Sequence, residues 1–398
     1  MNKLDGKRIL IWGYGREGKS TETFLKEHCH PAKVDIFEGK REEIAENQYD
    51  LIFKSPGIPM EEDSPKYTSQ TEFFLQLFRK QVIGITGTKG KSTTATMIYH
   101  VLKECLDRPV LLVGNVGIPC LDCYDEITEN TVIVFEMSCH QLSRVNVSPH
   151  IALFLNLFEE HLDYYGTVEK YFEAKKHITA FQDQDDFLLL GEDVKGIRTK
   201  ASVITVRKEI ETPFQLQILG EHNQYNAKFV YEVARTLFGI GDAEIRKSME
   251  TFTGLPHRLQ FVGRVDGIDF YDDSISTIPE ATIKAIESVK NTETVIIGGM
   301  DRNIDYSLLT DYVKAHGEYQ YLFCYASGER IYRELSSLPN CRFVKEIGEA
   351  VTVAKKITEE GKACLLSPAA ASYGYFKNFE ERGDYFVKCL KKGLAPQY

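Results

Sequence analysis

Val82-Ile83-Gly84-Ile85-Thr86-Gly87-Thr88-Lys89-Gly90-Lys91-Ser92-Thr93 runs from a short apolar strand into a glycine-rich turn, and a helical pattern follows over 93–106. A strand that feeds a helix through Gly-Lys-Ser has the layout of a phosphate loop. Gly87 and Gly90 let backbone N–H groups face phosphate oxygens, with Thr88, Lys89 and Thr93 in the same turn. Lys91 is placed to meet the β- and γ-phosphates of a nucleoside triphosphate, and Ser92 to ligate Mg²⁺. The full pattern is not met, because Ile85 stands where its first glycine belongs. The competing reading is an ordinary strand-to-helix turn, which seldom needs this residue set.

Outward from this loop the chain alternates strands and helices, the pattern of a parallel α/β sheet. Strands are predicted at 110–113, 132–135, 151–155, 187–190 and 202–206. Glu136 follows one of them and His161 another, both at C-terminal strand ends, where ligands of α/β sheets bind. A carboxylate and an imidazole there suit a divalent cation, or are ordinary surface residues. Upstream, the strand 8–12 leads into Gly13-Tyr14-Gly15-Arg16-Glu17-Gly18 and a helical stretch, with Glu38 at the end of the next strand. Glycines in such a turn admit a phosphate at the positive end of a helix. A nicotinamide dinucleotide, another nucleotide diphosphate and a purely structural turn all fit that pattern. Further strands are predicted at 33–37 and 51–53, the latter running into Ser55, and 61–68 reads as loop. After a hinge at Gly254-Leu255-Pro256-His257 comes a third α/β run, with strands predicted at 264–271, 295–297, 321–324 and 363–366. The reading is three α/β domains: 1–79, 80–254 and 255–398.

A 398-residue chain accommodates two to three domains of ordinary size. Its 43% hydrophobic and 27% charged residues exclude disorder and small disulfide scaffolds. The net charge of −10 argues against a broad nucleic-acid footprint, so an anionic ligand must be met by local cations, helix N-termini or metal ions. Nine scattered cysteines fit a reducing cytoplasm, and the Cys120/Cys123 pair lacks the partners of a zinc site. The polar residues 1–7 enter a strand directly, so no signal peptide is expected. No apolar run approaches the ~20 residues that span a bilayer, so no membrane insertion is expected.

Together these segments resemble the Mur ligase family, and within it the members that add glutamate to UDP-N-acetylmuramoyl-L-alanine. The resemblance covers nearly the whole chain. It is carried by the loop 87–93, Gly114-Asn115-Val116-Gly117, Glu136-Met137-Ser138, His161-Leu162-Asp163 and Ala174-Lys175. Farther on it continues through Gly220-Glu221-His222-Asn223 with Asn226, then Leu255-Pro256-His257-Arg258 and Asp272-Asp273-Ser274. It ends in Leu366-Ser367-Pro368 with Ser372, then Phe376-Lys377-Asn378-Phe379-Glu380-Glu381-Arg382-Gly383. The resemblance implies a Rossmann-like N-terminal domain holding UDP, a central ATPase-like domain and a Rossmann-like C-terminal domain taking the amino acid. Gly15, Arg16, Glu17, Gly18, Glu38, Ser55, Asn115 and Ser138 would face the UDP substrate. ATP would meet residues 87–93, Asn223, Asn226, Arg258 and Asp273. Glutamate would meet Arg302, Ser372, Tyr373, Lys377 and Phe379. Lys91, Glu136, His161 and Lys175 would carry catalysis. Two Mg²⁺ ions are implied, held by Ser92, Glu136, His161 and a carbamate on Lys175. By its residues alone, Lys175 would be a solvated helix charge. A monomeric cytoplasmic enzyme of peptidoglycan precursor synthesis is expected.

Two departures bear on stereochemistry. Members that add D-glutamate carry lysine after Asp-Ser, where this chain has Ile275, followed by Ser276 and Thr277. Lys89 stands where asparagine is common. Both resemble a subgroup that adds L-glutamate, so D- and L-glutamate both remain open, with D as the commoner activity. An NAD-dependent oxidoreductase would leave the Lys91 loop and the third α/β run unexplained. A folylpolyglutamate-type ligase would lack the N-terminal nucleotide-sugar domain, and a non-catalytic regulator would show no ATP turnover.

Overall fold

Short runs rich in Val, Ile, Leu and Phe between helical segments form buried parallel strands, because helices cover both faces of such a sheet. The computed structural model describes residues 3–60, 64–159, 162–218 and 220–391, without the side chains of Leu162 and Asp163. It divides into two compact units, 1–215 with 222–250, and 216–221 with 251–398.

The first unit carries two sheets. Strands β1 (Arg8–Trp12), β2 (Lys33–Phe37), β3 (Leu51–Lys54) and β4 (Tyr67–Thr68) pair in the order β2-β1-β3-β4, all parallel. The short edge strand β4 lies in a stretch that reads as loop in the sequence, with only two residues pairing to β3. Strands β5 (Val82–Thr86), β6 (Val110–Gly114), β7 (Val132–Glu136), β8 (Ile151–Phe154), β9 (Phe187–Gly191) and β10 (Ser202–Val206) pair in the order β10-β9-β8-β5-β7-β6, again all parallel. One apolar cluster runs through both sheets. It joins Ile9, Ile11, Phe24 and Phe53 to Phe74, Phe135 and Ala152, which is why the two sheets fall in one unit. Cys120 and Cys123 are free thiols buried in the same cluster.

The second unit holds β11 (Gln260–Val265), β12 (Ile268–Asp272), β13 (Thr292–Ile297), β14 (Gln320–Cys324), β15 (Cys341–Val344) and β16 (Ala363–Leu366), in the order β11-β12-β16-β13-β14-β15. The sequence reading took 264–271 as one strand. The chain instead turns at Asp266 (φ 52°) and Gly267 (φ 79°), making β11 and β12 an antiparallel hairpin. Two successive positive φ values at Asp-Gly suit the tight turn that matches strand twist. Strand β15 is absent from the sequence-based expectation, because Arg342 breaks the short Cys341–Val344 stretch so that it shows no continuous apolar run. Among the described residues no helix is long and apolar enough to cross a membrane. The α/β class with several parallel sheets agrees with the sequence reading.

Candidate active site

Strand β5 delivers the phosphate loop to the C-terminal edge of the central sheet. Gly90 takes φ 82° and caps the helix Lys91–Cys105, a conformation that costs a residue with a Cβ more than glycine. A Cβ there would also sit 2.5 Å from Asn226 Oδ1. Asn223 and Asn226 are buried side by side, with Asn226 Nδ2 donating to Asn223 Oδ1 at 2.9 Å. Ser92 and Thr93 lie half-buried in the first helical turn, and Lys89 is exposed. Lys91 Nζ donates to Thr88 O at 2.9 Å, curling back over the loop it belongs to.

Asn156 braces this loop. Its Oδ1 accepts from the backbone N–H of Thr88 (3.0 Å) and Lys89 (2.9 Å), and its Nδ2 donates to Lys89 O (2.9 Å). No motif of the sequence singles out Asn156, which directly follows the strand predicted at 151–155. A polar residue just past a buried strand of an α/β sheet was the available signal. Thr88 Oγ1 donates to Phe158 O and accepts from Phe158 N and from Tyr171 OH.

Glu136, the last residue of β7, lies between the ends of β5 and β6 and is fully buried. Its Oε1 accepts from Asn115 Nδ2 at 3.3 Å. Its Oε2 is buried with no hydrogen-bond partner among the described residues. A half-satisfied buried carboxylate is costly unless a cation or donor completes it. Lys175, on the helix Val168–Ala180, is 1% exposed. Its Nζ donates to Gly87 O at 2.8 Å and lies 4.7 Å from the Tyr171 ring centre. The fold thus turns this helix lysine inward against the phosphate loop rather than out to solvent. His161 lies outside the described residues.

The N-terminal turn packs on the same side of the first unit. A Cβ on Gly18 would come 2.2 Å from Gly13 O, and Ser55 Oγ donates to that carbonyl at 2.8 Å. Gly15 caps the helix Arg16–His28. Arg16 Nη2 donates to Gly117 O at 3.0 Å. The Glu17 carboxylate is buried and accepts from Gln141 Nε2 at 2.8 Å, while its Oε2 finds no partner among the described residues. Burial raises the Glu17 pKa above the ordinary glutamate value, partly offset by the Gln141 bond. Gln141 also closes a capping box with Ser138 at the start of the helix Cys139–Leu142. Arg16, Gly57, Asn115, Ser138, His140 and Gln141 line a cleft of about 240 Å³. His140 went unremarked in the sequence; its Nδ1 lies 3.2 Å from Tyr165 OH, and its ring is 4.3 Å from that of Tyr164. Glu38 is exposed just past β2 and does not line this cleft. A larger cavity of this unit, about 600 Å³ and lined by residues that include Leu4, Lys54, Tyr67, Phe73 and Arg144, contains none of the expected site residues.

Within the second unit, Asp273 is buried just past β12. It accepts from Ser367 Oγ (2.8 Å) and Leu259 N (3.2 Å), and burial pushes its pKa up to about 6. Arg258, Arg302 and Lys377 are exposed, Ser372 is buried, Phe379 is half-buried and Tyr373 is 58% exposed. A phosphate loop beside a half-satisfied carboxylate and a buried lysine, on one parallel sheet, defines a nucleotide-handling α/β protein. Residues 85–202 match the Mur ligase middle domain. The chain is 32% identical over 410 residues to the UDP-N-acetylmuramoylalanine–D-glutamate ligase of Lactobacillus johnsonii, covering 91% of this chain and 85% of that protein. The chain belongs to the Mur ligase family. Among solved structures it is similar to the UDP-N-acetylmuramate–alanine ligase MurC of Thermotoga maritima, with TM-score 0.59, 18% identity and coverage of 98% of this chain and 100% of that one. It is also similar to the MurF ligase of Thermotoga maritima in complex with ADP, with TM-score 0.55, 17% identity and coverage of 99% and 97%. At these identities the likeness to the solved structures is one of fold.

Proposed function

We propose that the protein joins D-glutamate to UDP-N-acetylmuramoyl-L-alanine at the expense of ATP, as a monomeric cytoplasmic enzyme of peptidoglycan precursor synthesis. The observation that carries this reading is the meeting of the Gly87–Thr93 loop, Glu136 and Lys175 at the C-terminal edge of the central sheet. The name of the Lactobacillus johnsonii relative supports the substrates and the D enantiomer. In this reading residues 1–79 hold the UDP moiety, 80–254 hold ATP and 255–398 hold the amino acid.

A carboxylate is a poor acyl donor at neutral pH. Transfer of the γ-phosphoryl group of ATP to the substrate carboxylate breaks the bond to ADP and creates an acyl phosphate with a good leaving group. The glutamate amine then attacks the acyl carbon, the C–N bond forms, and inorganic phosphate leaves as the amine loses a proton. Backbone N–H groups of the loop other than those of Thr88 and Lys89, which Asn156 holds, would with Lys91 donate to the transferring phosphoryl group. Asn156 keeps the loop in shape, and Thr88 ties it to Tyr171 and Phe158. Asn115, Ser138 and His140 face the cleft proposed to take the muramoyl end, with the pyrophosphate at the N-terminus of the helix Arg16–His28. Glutamate would meet Arg302, Ser372, Tyr373, Lys377 and Phe379, and ATP would further meet Arg258 and Asp273.

Divalent cations fit the donor set. Glu136 Oε2, buried and without a hydrogen-bond partner among the described residues, would with Ser92 hold one Mg²⁺, and His161 with a carbamate on Lys175 the other. Bound there, such ions neutralise the phosphoryl group in flight. A carbamate on Lys175 would keep one N–H able to donate to Gly87 O and would replace the buried positive charge with a negative one.

Phosphate release from UDP-N-acetylmuramoyl-L-alanine and ATP with each pure glutamate enantiomer tests the reading. D-glutamate is expected to support turnover at least roughly a hundredfold faster than L-glutamate, because a misplacement of about 1 Å at the amine costs that much. Release with neither enantiomer refutes the ligase. Preference for L-glutamate overturns the D assignment and restores the reading that Ile275, Ser276, Thr277 and Lys89 favour.

A further inference from the structure

The second unit buries an arginine to which the proposed reaction gives no role. Arg382, on the helix Phe379–Lys391, is 0% exposed. Its Nε donates to Ser274 Oγ (2.9 Å), its Nη2 to Ser274 O (2.7 Å) and its Nη1 to Ala370 O (2.9 Å). All three acceptors are uncharged. Burial pulls its pKa down to about 10. Well-packed apolar residues often replace buried charges without loss of stability, so charge burial alone does not explain an arginine here. What the guanidinium adds is a rigid planar fork that meets acceptors from two segments at once.

Those segments carry the residues proposed to meet glutamate. Ser274 follows Asp273 at the end of β12, and its hydroxyl donates onward to Phe379 O at 2.8 Å. Ala370 lies two residues before Ser372, next to Ala369, which holds φ 52°. Ala371 O accepts from Met300 N at 2.8 Å, and Pro368 O accepts from Gly298 N at 2.9 Å, so the loop bearing Arg302 rests on the same turn. A Cβ on Gly299 would lie 2.8 Å from Arg382 Nη1 and 2.4 Å from Ala371 O. Beside the arginine, a Cβ on Gly383 would lie 2.1 Å from His257 Nδ1 and 2.4 Å from Asp272 Oδ2, so only glycine lets the helix come this close.

We infer that Arg382 is a positioning residue for the amino-acid pocket: from beneath the ends of β12, β13 and β16, it sets the spacing of the segments that bear Arg302, Ser372 and Phe379. It is too buried to touch substrate. The inference rests on the ligase reading, so wild-type activity with glutamate is established first; an inactive wild type refutes that reading. The variants are Arg382→Lys, which keeps the charge but loses the fork, and Ser274→Ala, which removes only the hydroxyl bridging Arg382 and Phe379. Two readouts are taken on the full chain. The first is kcat/KM for glutamate. The second is acyl-phosphate formation without glutamate, trapped by hydroxylamine as the hydroxamate with release of phosphate. Expected is a fall of roughly tenfold or more in kcat/KM for glutamate, with hydroxamate formation within about twofold of wild type. Equal loss in both readouts makes Arg382 a general structural residue and overturns the inference, as does no loss in either. If Arg382→Lys does not fold, Ser274→Ala decides on the same criteria.

Discussion

Replacing Asn156 by alanine tests whether the phosphate loop is pre-shaped by one side chain. The substitution removes three hydrogen bonds, two from the Thr88 and Lys89 amides and one to Lys89 O. A net hydrogen bond is worth about 1 kcal/mol, and the exposed Lys89 side of the loop lets water replace part of the loss, so about 2 kcal/mol of loop ordering is at stake. At 1.4 kcal/mol per factor of ten, that is a rise of up to roughly 30-fold in the ATP concentration needed. Because Asn156 is half-buried and leaves no apolar cavity behind, the melting temperature is expected to fall only by the several degrees that about 2 kcal/mol corresponds to. Steady-state phosphate release with ATP varied reads the effect, and the same assay with the UDP substrate varied serves as control. Asn156→Asp is the sharper companion. It keeps an acceptor for both amides but sets a negative oxygen against Lys89 O and beside the incoming phosphates, so it should harm ATP use at least as much as alanine. An ATP KM unchanged within about twofold in both variants would refute the idea that Asn156 shapes the loop.

Two further outcomes follow from buried ionisable groups. Lys175→Ala should lose ligase activity and recover part of it with added formate, a small carboxylate that replaces the proposed carbamate; a fully active Lys175→Arg, which keeps the positive charge, would end that idea. Asp273 binds its proton more tightly in the folded chain, with a pKa of about 6 against an ordinary 3.8, so its contribution to stability is intact below about pH 4 and is lost as pH rises through about 6. Asp273→Asn should therefore gain in melting temperature relative to wild type between pH 4 and 7, by up to about 3 kcal/mol in stability; parallel melting profiles would count against the buried charge as the cause.

The amino-acid sequence alone determined the class of fold and the place of the phosphate loop. Both are local: buried parallel strands announce themselves as apolar runs, and Gly-Lys-Ser at a strand-to-helix junction spans only a few residues. The hairpin at Asp266-Gly267 carries a local signal of the same kind, the Asp-Gly pair inside an apolar stretch, whereas β15 is broken by Arg342 and offers no continuous apolar run. The tertiary structure alone decided which distant side chains meet. Glu17 reads as a ligand contact beside a glycine turn; it lines the cleft, and packing alone sets its carboxylate against Gln141, 124 residues away. Asn156 reaches back 67 residues to the loop, and Arg382 reaches 108 residues to Ser274. Lys175 has the spacing to share a helix face with Tyr171 and Ile178, but a lone helix lysine reads as a solvated charge, and packing shows it 1% exposed against Gly87. Helical and strand periods fix the direction of a side chain relative to its own element, whereas its burial and partners depend on how separate elements pack, and no local pattern encodes that.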